Sequence, residues 1–300
     1  MPATEIYPIE EFLNYITFQK RYSRNTIISY RNDLSAFFGF LTLEYTGIGL
    51  REISPAIVRS WLADLKENKA SSKTVNRKIS ALKSFFKYQL KLENITVSPM
   101  PSINSVKINK RLPSFIDQGD IDKLFKYVEF ADTWEGKTDL LLLKIFYNTG
   151  IRLSELINLK ESQVDKSNSV IKVVGKGNKE RIVPVNNQIL TEIDAYLSAK
   201  KALLDKPSSD FVLVSKKGKK LYAKYVYRAV HKYIGIVSTN ERKSPHVLRH
   251  SFATHLTNNG ANINAVKELL GHSSLASTQI YTHNSIEKLK DIHKLSHPKS

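Results

Sequence analysis

SNSVIKVVGKGNKERIVPV, Ser167 to Val185, is the stretch on which the fold class turns. It alternates in polarity, is rich in β-branched residues and is divided by a Gly-Lys-Gly-Asn-Lys turn. That pattern reads as two strands of an antiparallel hairpin. Lys176 stands at the tip between two glycines. Glycine lets a backbone approach closely, and a flexible ammonium can reach a partner, although an ordinary exposed turn lysine would look the same. The phosphate-cradling pattern GxxxxGK[ST] is absent.

Outward from this hairpin the chain reads mainly as helix. Ser23-Arg24-Asn25 precedes an apolar stripe of Ile27, Tyr30, Leu34, Phe37 and Leu41. Ser54-Pro55 supplies an N-cap with proline at the first helical position, opening AIVRSWLADLKEN. TVNRKISALKSFFKYQL sets Val75, Ile79, Leu82 and Phe86 on one stripe and Arg77, Lys78, Lys83 and Lys87 on the other face, with no acidic residue among them. VSPMPSINSVKINKRLPSF has three prolines, three basic residues and no apolar period, so it reads as an interdomain linker. Beyond it, DQGDIDKLFKYVEF starts a helix, TDLLLLKIFYN forms one buried all round and stopped by Gly150, and IRLSELINL begins the next. Phe211–Ser215, FVLVS, is a candidate short strand. The expected fold is mainly α with a small antiparallel β-sheet. A helical domain spans residues 1–105, a basic linker 106–112, and a mixed α+β domain 113–300. The extended linker would let the two domains close on a rod-like ligand as a C-shaped clamp.

Charge narrows the function. There are 46 Lys+Arg against 28 Asp+Glu, a formal net of +18 spread over both halves. Such an excess repels itself unless an anionic partner balances it, and nucleic acid is the leading candidate. The absence of cysteine excludes disulfides, thiolate metal sites and cysteine nucleophiles, and suits a reducing cytoplasm. The N-terminus lacks a signal-peptide pattern, and no apolar run is long enough to span a bilayer.

Four stretches hold polar residues that neither a core nor a plain surface requires. TGIRLSEL places Arg152 after a glycine near a helix start, with Glu155 one turn on to orient it; a surface ion pair is the plain alternative. GKGNKER holds Lys176. SPHVLRHSFATHL sets His246 and Arg249 on one helical face. His246 and His250 are spaced like zinc ligands, but the Glu of HExxH is missing and an arginine beside a cation is unwelcome, so no metal is expected. His250 and His255 read as packing residues. LLGHSSLASTQIYTH ends one helix at Gly271, puts His272 at the turn and carries Tyr281 into the next. Two arginines suit one phosphodiester, lysine can protonate a leaving oxygen, histidine can assist proton transfer, and nearby cations can activate a tyrosine. No clustered carboxylates of the kind that hold Mg²⁺ are present.

Those four stretches, in that order, resemble the signature boxes of the tyrosine recombinase (phage integrase) family, and the likeness covers essentially the whole chain. The length and YSRNTIISYRNDLSAFFGF resemble the bacterial Xer recombinases in particular. The resemblance implies that Arg152 and Arg249 clamp the scissile phosphate and that Lys176 is the general acid, with Lys179 the alternative. It implies that His246 assists proton transfer, His272 bonds the phosphate, Glu155 orients the site, and Tyr281 attacks to leave a 3′-phosphotyrosyl link. It implies no cofactor and no metal. The implied partner is double-stranded DNA with a short inverted-repeat site, held by a homo- or hetero-tetramer on two duplexes. A second recombinase and a DNA translocase are further possible partners, and the implied location is the cytoplasm, at the nucleoid. SIEKLKDIHKLSHPKS, with Ile286, Leu289 and Ile292 in helical phase, would dock on a neighbouring protomer. Arg77, Lys78, Lys83 and Lys87 are expected DNA contacts.

Chromosome-dimer resolution is the function expected. Integration or transposition by a mobile element uses the same chemistry. A monomeric nicking-closing enzyme and a non-catalytic DNA-binding protein are the remaining readings.

Overall fold

Serine hydroxyls start three helices near the N-terminus. Ser23 accepts from the Thr26 N–H at 3.3 Å, Ser54 from Ile57 at 3.5 Å and Ser71 from Thr74 at 3.2 Å. Each bond satisfies a backbone donor that the first helical turn leaves without a partner. The computed structural model describes residues 7–108, 114–175, 180–203 and 209–271. The chain divides into two units, Met1–Arg111 and Leu112–Ser300.

The first unit is helical. α1 (Ile9–Asn14) runs into a wider turn ending at Gln19, and α2 (Arg24–Glu44), α3 (Pro55–Glu67) and α4 (Ser72–Lys91) follow. The stripes expected from spacing are the buried faces: Leu34, Phe37 and Leu41 on α2, and Val75, Ile79, Leu82 and Phe86 on α4. Phe37 meets the Trp61 ring edge-on with centroids 4.9 Å apart, and Phe38 meets Phe85 at 5.2 Å. Burying one such aromatic side chain contributes about 1.5–3 kcal/mol, so this cluster dominates the unit's stability. Met100 and Ile103 also lie in this core. The chain beyond them is pinned along α4, because the Asn76 amide takes both backbone groups of Val106, at 2.7 and 2.8 Å.

In the second unit, α5 (Gln118–Tyr127) is followed by α6 (Trp134–Thr149), which is surrounded as its composition requires: Leu141, Leu142, Leu143, Ile145, Phe146 and Tyr147 are all buried. Gly150 ends α6 with φ +57°, and a Cβ there would stand 2.3 Å from the Phe252 ring, so only glycine fits. α7 (Leu153–Ile157) then leads to a three-stranded antiparallel sheet of β1 (Val164–Asp165), β2 (Val170–Val174) and β3 (Glu180–Pro184), in that order. β2 and β3 are the arms of the expected hairpin, with Ile171 opposite Val183 and Val173 opposite Arg181. α8 (Asn187–Leu203), α9 (Ala223–Val237), α10 (Pro245–Asn258) and α11 (Ile263–Leu270) complete the described part. α6 packs against α8 and α10.

Phe211–Ser215 is not a strand. It makes only isolated bridges, Lys160 with Phe211 and Val214 with Lys220. Its backbone partners are mixed: the Val212 and Ser215 N–H groups donate to the Leu159 and Lys219 carbonyls, both at 2.8 Å, while the Val214 carbonyl accepts from Trp134 Nε1 at 3.1 Å and from the Tyr196 hydroxyl at 3.2 Å. Those two side-chain donors fill the position a neighbouring strand would use. Among the described residues no helix is long and apolar enough to cross a membrane.

Candidate active site

The site grows from the glycine that ends α6. The αL turn at Gly150 throws the chain into an extended Arg152, the residue that caps α7. Glu155, in the first turn of α7, reaches back to the Arg152 N–H at 2.6 Å and accepts from Arg152 Nη1 at 2.8 Å. A glutamate at this position both caps the helix and favours its positive end. Glu155 is buried, and its side chain meets a second guanidinium edge to edge. Arg181 Nη1 and Nη2 donate to its two oxygens at 2.6 and 2.9 Å. Burial alone would raise the Glu155 carboxyl. The bonds and charge of Arg181, then Arg152, override it and hold the group at about 2, so Glu155 is a carboxylate throughout the physiological range.

Arg249 enters from the second turn of α10. Its Nη1 donates to the Gly150 carbonyl and its Nη2 to the Leu270 carbonyl, both at 2.6 Å. Arg152 Nη2 donates to the Gly271 carbonyl, and Arg181 Nε to the Leu269 carbonyl at 2.9 Å. Three consecutive carbonyls at the end of α11 are therefore each held by a different arginine. These are the carbonyls a helix leaves without partners, at its negative end. Gly271 closes α11 with φ +64° and immediately precedes His272 in the chain. Burial, then the charges of Arg152 and Arg181, push the Arg249 guanidinium down to about 9, still charged at neutral pH. Three guanidinium groups against one carboxylate leave an excess of positive charge. Arg152, with its side chain 32% exposed, is the open member, whereas Arg181 at 7% is enclosed. Such a cluster is built to receive an anion with oxygens to share between two forks.

The structure thus brings Arg152, Glu155 and Arg249 together. His246 is exposed on the first turn of α10, one turn ahead of Arg249 on the same helix. His255 is a core residue, its Nδ1 3.0 Å from the Tyr147 hydroxyl. Lys176, Lys179, His272, Tyr281 and the C-terminal segment with Ile286, Leu289 and Ile292 lie outside the described residues. Arg181 is the site residue that sequence reasoning missed. The signal was present: in β3 it is in phase with Val183, so an arginine occupies the strand's core face.

The four expected DNA contacts on α4 divide into two pairs. Lys83 and Lys87 are exposed. Arg77 and Lys78 converge on the buried carboxylate of Asp33, and Lys78, with only 12% of its side chain exposed, also lies over the Trp61 ring at 5.3 Å. In the second unit, Lys224, Arg228, His231 and Lys232 on α9, with Tyr227 and Lys243, line a separate basic concavity.

Comparison with known proteins matches residues 114–288 to the phage integrase family and residues 9–92 to its N-terminal SAM-like domain. The chain is 37% identical to tyrosine recombinase XerC of Thermodesulfovibrio yellowstonii, covering 100% of this chain and 99% of that protein. It is 36% identical to tyrosine recombinase XerD of Shewanella oneidensis, covering 97% and 96%. Among solved structures, XerH site-specific recombinase in a post-cleavage complex with palindromic difH substrate aligns with a TM-score of 0.71. That alignment has 26% identity over 88% of this chain and 78% of that one. The Tn1549 transposon integrase, bound to circular intermediate DNA, shares the fold with a TM-score of 0.70 at 20% identity, covering 96% and 98%.

Proposed function

Because the chain belongs to the phage integrase family and, within it, to the Xer-type tyrosine recombinases, we propose that it resolves chromosome dimers by cutting and rejoining DNA at a short inverted-repeat site. The observation that carries the residue roles is the convergence of Arg152 and Arg249, from two separate helices, on the carbonyls of Gly271 and Leu270, just ahead of His272. A phosphodiester seated against those two guanidinium groups lies beside Gly271, ten residues ahead of Tyr281 in the chain.

In this reading the Tyr281 hydroxyl attacks phosphorus in line with the 5′ oxygen. The P–O5′ bond breaks as the P–Oη bond forms, and Lys176 protonates the departing oxygen. Arg152 and Arg249 take the non-bridging oxygens, whose charge grows in the transition state. His246 assists proton transfer and His272 bonds the phosphate. The strand is kept as a 3′-phosphotyrosyl ester, and a 5′ hydroxyl of the other duplex reverses the step. One ester replaces another, so the energy of the broken bond is conserved in the protein–DNA link and no nucleotide is hydrolysed. Exchange between two duplexes requires four protomers, identical or of two kinds, acting in the cytoplasm at the nucleoid. The basic face of α4 and the basic concavity on α9 would hold the flanking duplex. The neighbour XerH, recorded on a palindromic substrate, supports a site with two-fold character. The transposon integrase shares only the fold, whereas the XerC and XerD likenesses run the length of the chain, so dimer resolution is the stronger reading.

The test is covalent trapping. A randomised pool of nicked palindromic duplexes is incubated with the protein, and SDS-resistant adducts are recovered and sequenced. The wild type is expected to form an adduct and Tyr281→Phe none. A wild type that traps no DNA, or an adduct that survives Tyr281→Phe, overturns the reading.

A further inference from the structure

Arg181 uses its three donor groups on three protein acceptors. Two N–H groups meet both oxygens of Glu155, 26 positions earlier in the chain, and Nε meets the Leu269 carbonyl, 88 positions later. It is as buried as Arg249, but all three of its nitrogens already donate to protein acceptors, and that sets it apart from the arginines assigned to the phosphate. It also lies flat against the turn that ends α11, since a Cβ on Gly271 would stand 3.0 Å from Arg181 Cδ. One side chain therefore joins β3, the first turn of α7 and the last turn of α11.

The consequence is electrostatic as well as mechanical. Without Arg181, the Glu155 carboxylate would have Arg152 as its cation, and a neutral pair would leave Arg152 little charge for a phosphate. With Arg181 forked onto both oxygens, Glu155 is balanced from behind. Arg152 then gives Glu155 a single side-chain N–H, at 2.8 Å, and turns another toward the end of α11. A lysine could not replace it, because one ammonium cannot span two carboxylate oxygens and a carbonyl in a fixed plane.

We propose that Arg181 is a positioning residue for strand cleavage, which balances Glu155 so that Arg152 stays available to the scissile phosphate and fixes the end of α11 against the same cluster. This rests on the recombinase reading above. It does not make Arg181 a catalytic residue.

The full chain is tested as Arg181→Lys and Arg181→Gln on the nicked duplex that wild type traps best. Both variants are expected to bind that duplex within about twofold of wild type and to cleave it more slowly by about tenfold or more, the scale of a misplaced oxyanion donor. The decisive probe is the same duplex with a methylphosphonate at the scissile position. It carries no anionic oxygen there and needs less from the arginine pair. On it the gap to wild type is expected to shrink at least about threefold, because less charge must be stabilised. Wild-type cleavage by Arg181→Lys overturns the proposal, and so does a gap of equal size on both substrates, the signature of a merely structural role. If either single variant fails to fold, Glu155→Gln/Arg181→Gln removes both buried charges together. That double variant is expected to fold and, with no carboxylate left to draw on Arg152, to keep only the deficit caused by the lost tie to Leu269, smaller than that of any single Arg181 variant that folds; wild-type cleavage by it, or a deficit as large as a single variant's, overturns the proposal. A wild type that traps no duplex at all would refute the recombinase reading instead.

Discussion

Arg249 donates to the carbonyl of Leu270, the last residue of α11, while its other terminal nitrogen holds the carbonyl of Gly150 at the end of α6. One guanidinium thus joins two helix C-termini, and under the proposed function the rest of its fork meets the scissile phosphate. Arginine supplies five N–H donors in one plane, which is what this double duty requires.

Replacing that side chain separates binding from chemistry. Arg249→Ala is expected to lower duplex affinity by less than about tenfold, the scale of a lost phosphate contact. It is expected to slow cleavage by about 10²–10³-fold or more. Gel shift and covalent trapping on the same duplex check both. Equal losses in the two assays would mean that Arg249 only holds the fold.

Glu155 sets an acid limit on stability. Its folded carboxyl sits at about 2 against an ordinary 4.5, so the folded state holds this proton less tightly than the unfolded chain. The stabilisation is therefore complete above the unfolded value and is lost as pH falls from there toward the folded one. Its full size is on the order of 3 kcal/mol. In urea titrations the gap between wild type and Glu155→Gln is expected to be constant near neutrality and to close below about pH 5. A gap unchanged down to pH 4, roughly, would contradict the pairing.

His255 acts in a higher window. Burial first holds this imidazole below its ordinary 6.5, and its Nδ1 faces the Tyr147 hydroxyl. The unfolded chain binds the proton more readily, so stability is intact above 6.5 and falls as pH drops through that value. The slope for one such group is at most about 1.4 kcal/mol per pH unit. His255→Gln is expected to flatten the wild-type decline between about pH 6.5 and 5 in thermal melts. An unchanged slope would assign the decline to other groups.

The basic face of α4 divides by task. Lys83→Ala/Lys87→Ala is expected to leave stability within about 0.5 kcal/mol. It is expected to flatten the log–log salt dependence of duplex binding by about two units. Lys78→Ala is expected to destabilise the first unit by about 1–3 kcal/mol, because it removes one of the cations on the buried Asp33. Denaturant melts and binding at several salt concentrations separate the two. An unaltered salt slope in the double variant would remove α4 from the DNA surface.

Much of the fold was legible in the chain because its signals are local. Ser23, Ser54 and Ser71 sit within one turn of the donors they cap. Gly150 and Gly271 take the left-handed turns that few other residues tolerate. The β2–β3 hairpin is announced by its own alternation and by the turn between its arms. Periodicity also identified the buried faces of α2 and α4, and composition the all-round burial of α6, since a helix displays its packing side every turn.

What the sequence determined by itself is therefore the set of elements and the order of the polar stretches that mark Arg152, Glu155 and Arg249. What only the tertiary structure decided is which charges answer one another. Arg181 is an isolated in-phase arginine in β3 until folding brings Glu155 and Leu269 to it. Phe211–Ser215 looked like a strand until Trp134 and Tyr196 claimed the Val214 carbonyl. Arg77 and Lys78 read as DNA contacts like Lys83 and Lys87, and only packing shows that both also reach the buried Asp33, Arg77 with 46% of its side chain still exposed. Capping and periodicity act over one helical turn, so composition can announce them. Ion pairs and side-chain donors act through space, and their partners are set only when distant segments pack.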